Sequence, residues 1–231
     1  MNNKELISKL LEDEDNNFNN YDNNSEYVIV KGDKPIIISS PHCCNHFRNN
    51  KMKNMEIFTG SISNYLQNRT NCHLIYSQNI IDKDPNFDKE EDSQYKQKLK
   101  QYIIDNGIEL LIDFHGFTGN YNYLIEIGTI DINYKSLYYN NDLVNIINNS
   151  FLSLGKGSVI FNDRFKASNP HTIANFIYNN TNAMTFQMEV HSKLRNLYNE
   201  NNYDKVIDFI CCFEEMINNM YEYLVKDNKT I

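Results

Sequence analysis

Residues 35–40, Pro-Ile-Ile-Ile-Ser-Ser, constrain the fold more than any other stretch of this chain. A strand with one face in water alternates apolar and polar residues. A short unbroken apolar run bounded by turn signals is instead what a strand covered on both faces requires. The run follows a β-rich stretch at residues 26–30 across a Gly32-Asp33 turn, and it stops abruptly at Pro41-His42. Covering both faces takes helices, and helical spacing follows. Ile57, Phe58, Ile62, Tyr65 and Leu66 share one face, as do Tyr95, Leu99, Tyr102 and Ile103 within residues 93–106, where Gly107 is a natural stop.

The rest of the chain alternates in the same way. Residues 73–77 (HLIYS), 109–114 (ELLIDF), 122–129 (NYLIEIGT), 157–161 (GSVIF) and 183–190 (AMTFQMEV) read as strands. Residues 141–154, 171–179 and 203–224 read as helices. This order predicts a three-layer α/β fold, a mixed and mostly parallel central sheet flanked by helices on both faces. Residues 1–25 are polar and rich in Asn and Asp apart from Leu6, Leu10 and Leu11, and are expected as a loose N-terminal arm or helix. Residues 26–231 are expected as one α/β domain of hydrolase type, a length that buries a core without staples.

Charge and composition exclude several classes. Acids outnumber bases 30 to 22 and no Lys/Arg cluster offsets them, which disfavours a nucleic-acid partner and an anionic membrane surface. No apolar run has the length of a membrane span, and the N-terminus lacks the pattern of a signal peptide, so a cytoplasmic protein is expected. The five cysteines, Cys43, Cys44, Cys72, Cys211 and Cys212, form neither a disulfide framework nor a C-x-x-C motif and read as reduced thiols. The acidic loop at residues 82–92 lacks EF-hand spacing and reads as solvated.

In open α/β sheets ligands bind beyond the carboxyl ends of the strands. Three strands deliver a reactive residue there: His42, His115 and Glu189. Metal-assisted hydrolysis needs imidazoles and a carboxylate on the ion, an open position for water, and a separate carboxylate to move protons. Glu56 lies opposite the apolar face of its own helix and points either to water or into a pocket beside the helix N-terminus. Asp113 shares a strand face with His115, where it either orients the imidazole or is a buried acid on backbone donors. For Glu189 the alternative to catalysis is a salt bridge to Arg195 or a lysine. Cys43 and Cys44 read as small residues lining the pocket, with a thiol nucleophile as the alternative. His46, His73, His171 and His191 read as ordinary polar residues.

The run SPHCCNHFRNNKMKNMEIFTG, with His42, Arg48, Lys53, Glu56 and Thr59-Gly60, resembles the opening of hydrolases related to N-formylglutamate amidohydrolase. The later segments DPNFD, IDFHG and QMEVHSKLR extend the resemblance over residues 26–195. It implies a fold and metal site like those of zinc carboxypeptidases, with zinc on His42, Glu56 and His115 and with Glu189 as general base. The chain departs from the carboxypeptidase spacing H-x-x-E, since Asn45 stands three residues after His42. A substrate of this class carries a carboxylate, and arginine binds carboxylates bidentately. Arg48 and Arg195 are candidates for that contact, and Arg164, in the loop FNDRFKASNPH, for gripping the carboxylate or assisting the oxyanion. The expectation is a zinc-dependent hydrolase acting on a small-molecule substrate, an N-formyl or N-acyl amino acid or a short peptide. A non-catalytic metal- or ligand-binding protein on the same fold, and a cysteine hydrolase, are the competing readings.

Overall fold

The structure, a computed structural model, describes residues 2–18, 26–80, 82–130 and 140–227. The strands are β1 (Tyr27–Val30), β2 (Ile36–Ser40), β3 (His46–Arg48), β4 (Lys51–Lys53), β5 (His73–Ser77), β6 (Leu110–Phe117), β7 (Ile125–Gly128), β8 (Val159–Phe161) and β9 (Met184–His191). The helices are α1 (Asn3–Asp13), α2 (Thr59–Thr70), α3 (Gln94–Asn106), α4 (Asn141–Ser150), α5 (Ile173–Asn180) and α6 (Tyr203–Asp227). Seven strands form one sheet in the order β1-β5-β2-β6-β9-β7-β8, and β3 and β4 form a separate hairpin. β5, β2, β6 and β9 run parallel; β1 is antiparallel at one edge, and β7 and β8 run against β9 at the other. The mixed, mostly parallel sheet expected from the sequence is the sheet observed.

Alternation along the strands feeds two cores. Ile36, Ile38, Leu110, Ile112, Phe114, Phe186 and Met188 join a large cluster with residues of α1, α2, α4 and α6. Ile37, Ile75 and Leu111 face the other way, against Tyr95, Leu99 and Ile103 of α3 and Ile173 and Ile177 of α5. The Ile36–Ile38 run is fully buried on both sides, and each such side chain contributes about 1.5–3 kcal/mol relative to exposure.

Element limits shift where local geometry overrides periodicity. α2 starts at Thr59, because Phe58 holds φ +64 and cannot continue a helix, and it runs on to Thr70. β6 runs past residue 114 to Phe117, so His115 and Gly116 lie inside the sheet, paired with Glu189 and Val190 of β9. The β3–β4 hairpin has no counterpart in the sequence reading. Asn49 and Asn50 both hold positive φ, the backbone of a tight two-residue turn. The N-terminal segment, expected to be loose, is capped by Asn2 and Glu5 and packs Leu6, Leu10 and Phe18 into the large core. Residues 19–25 of that expected segment lie outside the described residues. Among the described residues no helix is long and apolar enough to cross a membrane.

Candidate active site

Period-two geometry puts Asp113 and His115 of β6 on one face, and Gln187 and Glu189 of β9 beside them through the pairings Asp113–Gln187 and His115–Glu189. His42 arrives just beyond the carboxyl end of β2. The chain then leaves through the β3–β4 hairpin and is brought straight back. The Met55 N–H donates to Asn45 Oδ1 and the Glu56 N–H to the His42 carbonyl, both at 2.8 Å. Asn45 thus anchors the return that sets Glu56 beside His42, although the two lie fourteen residues apart.

Glu56 lies between two imidazoles. Its Oε1 is 2.9 Å from His42 Nδ1 and its Oε2 is 3.3 Å from His115 Nδ1, and Oε2 also accepts the Gly116 N–H at 2.8 Å. Each imidazole is held from behind by a buried aspartate. His42 Nε2 faces Asp84 Oδ1 at 2.9 Å and His115 Nε2 faces Asp113 Oδ2 at 3.1 Å. Asp113 also accepts the Ser39 hydroxyl at 3.0 Å, and Tyr95 in turn contacts Ser39. Burial opposes charge on His42, but Glu56 and Asp84 overcome it and push its pKa up to about 9. The same balance raises His115 well above its ordinary value through Asp113 and Glu56. Burial would raise Glu56, yet His42 and His115 hold it well below the usual carboxylate range.

Among the described residues, two groups of side chains have donor atoms close enough to share a cation: His42, Glu56 and His115, and His42, His46 and Asp84. The second fits poorly. Asp84 already faces His42 and His46, accepts the Asn86 N–H, and carries the Arg48 guanidinium, a fixed positive charge. The first fits the demands of a catalytic zinc: two imidazole nitrogens with their opposite nitrogens on carboxylates, and a carboxylate between them. Glu56 keeps 20% side-chain exposure, so the cluster opens to solvent on one side.

Glu189 is buried and bonded to the Gln187 amide at 2.8 Å. Burial drives its pKa up to about 7; His115 opposes the rise and Glu56 adds to it. No salt bridge to Arg195 or a lysine forms among the described residues. Two cavities flank the cluster, of about 370 Å³ and 790 Å³, and both are lined by His42, Arg48, Glu56, Gly116 and Phe117. Glu189 and Arg164 line the smaller and Arg195 the larger. Arg164 is exposed, with its guanidinium 5.1 Å over the Tyr121 ring. Arg48 is half-buried against Asp84 and Phe87. Arg195 is buried and donates to the carbonyls of Val190 and Ile57. A Cβ on Gly116 would lie 2.2 Å from its Nε, so only glycine lets this arginine brace the cluster.

Three readings of the sequence are corrected. The acidic loop is not wholly solvated: Asp84 is fully buried behind His42. His46 is no ordinary polar residue. It stacks on His42 at 4.1 Å and reaches Asp84 at 3.4 Å. Cys43 and Cys44 do not line either cavity; they belong to the large core, bonded to the Ser77 carbonyl, and burial pushes the Cys43 thiol well up. The signals for Asp84 were its place before Pro85-Asn86, where the Phe87 and Asp88 N–H groups close a turn on its carbonyl, and the DPNFD segment of the resemblance.

No family model matches the chain, and no curated protein does either. Solved structures do. N-formylglutamate amidohydrolase from Ralstonia eutropha JMP134 superposes with a TM-score of 0.63 at 11% identity, over 87% of this chain and 99% of that one. A bacteriophage poly-gamma-glutamate hydrolase gives 0.55 at 17% identity, over 87% and 91%. A zinc-free apo form of YNDL gives 0.51 at 15% identity, over 87% and 93%. The molecule is thus a three-layer α/β protein with a His-Glu-His cluster at the carboxyl edge of its sheet. Its fold is that of N-formylglutamate amidohydrolase and its structural relatives, as the resemblance implied.

Proposed function

We propose that this protein is a zinc-dependent hydrolase that cleaves an amide bond in a carboxylate-bearing substrate. The observation that carries the reading is the position of Glu56 between the Nδ1 atoms of His42 and His115, with Asp84 and Asp113 on the opposite nitrogens. With Nε2 held on those aspartates, a cation that displaces the Nδ1 protons shared with Glu56 would meet both Nδ1 atoms. Zinc, when bound there, polarises the scissile carbonyl and lowers the pKa of its water. Glu189, with a carboxyl near pH 7, takes a proton from water and returns it to the leaving amine. Gln187 fixes Glu189 through one oxygen and leaves the other for that exchange. Arg164 and Arg48, on the rim of the smaller cavity, bind the substrate carboxylate. Arg195, in the wall of the larger cavity, holds the Ile57 carbonyl next to Glu56 and packs on Gly116.

Two structural relatives are named for hydrolysis of N-formylglutamate and of poly-gamma-glutamate, which makes these the first probes for a glutamyl amide. The test is zinc content and turnover of wild type, His42→Ala and His115→Ala. The expected result is near-stoichiometric zinc and hydrolysis of one probe in wild type, both lost in folded variants. Wild type that binds no divalent metal would overturn the reading.

A further inference from the structure

The buried carboxylate of Glu126 takes no part in the chemistry above. Glu126, in β7, is fully buried and lies directly across from Glu189 in the β7–β9 register. A carboxylate so placed requires donors. The Tyr123 hydroxyl donates to Oε2 at 2.9 Å, and the backbone N–H groups of Arg164 and Phe165 both donate to Oε1 at 2.6 Å. Those amides belong to the loop that leaves β8 and folds back over β7. The loop is fastened at further points: Ile130 N–H donates to the Lys166 carbonyl at 3.0 Å, and the Asn162 side chain bonds both the backbone and the hydroxyl of Thr129. A Cβ on Gly128 would lie 2.0 Å from the Phe165 carbonyl oxygen, so the loop rests flush on the strand. Asn162 and Ala167 hold φ of 54 and 55, strain that persists only where the surroundings fix it. Residues 164–169 of this loop form one wall of the smaller cavity.

We propose that Glu126 is a positioning residue: through Oε1 it fixes the Arg164–Phe165 backbone, and with it the cationic rim that receives the substrate's carboxylate. The proposal rests on the functional reading above. It also explains why a strand residue with no access to the cavity carries a side-chain oxygen acceptor. A single oxygen serving two amides is what a carboxylate, or a carboxamide turned the same way, supplies.

The test uses the zinc-loaded full chain and poly-gamma-glutamate as probe. Glu126→Ala removes the shared acceptor and is expected to raise KM about tenfold with kcat nearly unchanged. Arg164→Ala should do the same, and the double variant should be no worse than either single one. Glu126→Gln keeps an oxygen for both amides and should restore wild-type KM. Glu126→Asp keeps the charge but withdraws the oxygen, and should behave as Ala does; it serves if the alanine variant does not fold. Hydrogen exchange over residues 163–168 should quicken in Ala and Asp and stay at the wild-type rate in Gln. Multiplicative effects of Glu126→Ala and Arg164→Ala, a Gln variant as impaired as Ala, or unchanged exchange would each overturn the proposal. Zinc-loaded wild type that leaves poly-gamma-glutamate intact counts against that substrate reading, and the exchange measurement then decides the role of Glu126 separately.

Discussion

Asp84 and Asp113 show how much of this site depends on residues that never face the substrate. Each is fully buried, and each places a carboxylate oxygen on the Nε2 of one imidazole. Carboxylates in this position fix the imidazole's tautomer and orientation, and their loss costs about 10–100-fold in metal affinity. Asp113→Asn and Asp84→Asn should therefore weaken zinc binding by about that factor in a calorimetric titration. Unchanged affinity in both would show that the aspartates only fill space. Glu189→Gln has the opposite signature. It should keep zinc and lose about 10²–10⁴-fold in turnover, since only the proton shuttle is removed. A variant that loses zinc along with activity would make Glu189 a ligand instead of a base.

At the scale of elements, the N-terminal helix and the π-helical turn after it (Glu14–Phe18) are tied to the start of α2, next to the cluster. Phe58 has no side-chain cap of its own, and Glu14 supplies one from outside the helix, accepting the Phe58 N–H at 2.6 Å and the Ser61 hydroxyl at 2.8 Å. Burial drives the Glu14 carboxyl from 4.5 to about 7, against its hydrogen bonds. Because the folded chain holds this proton more tightly than the unfolded chain, its stabilising share is complete below pH 4.5 and is lost as pH rises through about 7. Glu14→Gln cannot ionise. Compared with wild type it should gain on the order of 3 kcal/mol between about pH 4 and about pH 8 in denaturant unfolding. Parallel profiles for the two proteins would contradict that account. The helix itself was legible from Leu6 and Leu10, but its docking was not, because the partner of Glu14 lies more than forty residues away at Phe58. The β3–β4 hairpin was missed for a different reason: its strands show little apolar alternation, and only the Asn49-Asn50 pair marks the turn.

For the molecule as a whole, the central strands were the legible part. Full burial on both faces leaves an unbroken apolar run, and a polar residue at the end of such a run stands out, as His42, His115 and Glu189 do. The edge strands β1 and β8 are only half-buried and carry a weaker pattern. Loop residues carried the least information. Only its place before Pro85-Asn86 distinguishes Asp84 from Asp82 or Asp88 in an acidic stretch, and it is the packing of that loop against His42 that gives it a role. Glu126 likewise read only as one polar position in a strand, because its donors come from a loop beyond β8. The proposed function requires one cation bound by Nδ1 of His42, Nδ1 of His115 and the Glu56 carboxylate. The most direct measurement is an anomalous-scattering map from crystals of the zinc-loaded protein, collected at the zinc edge. The expected result is one strong peak about 2.0–2.2 Å from those three residues, with the Nε2 atoms still on Asp84 and Asp113. A peak on His46 and Asp84, or no peak in protein loaded with excess zinc, would contradict it.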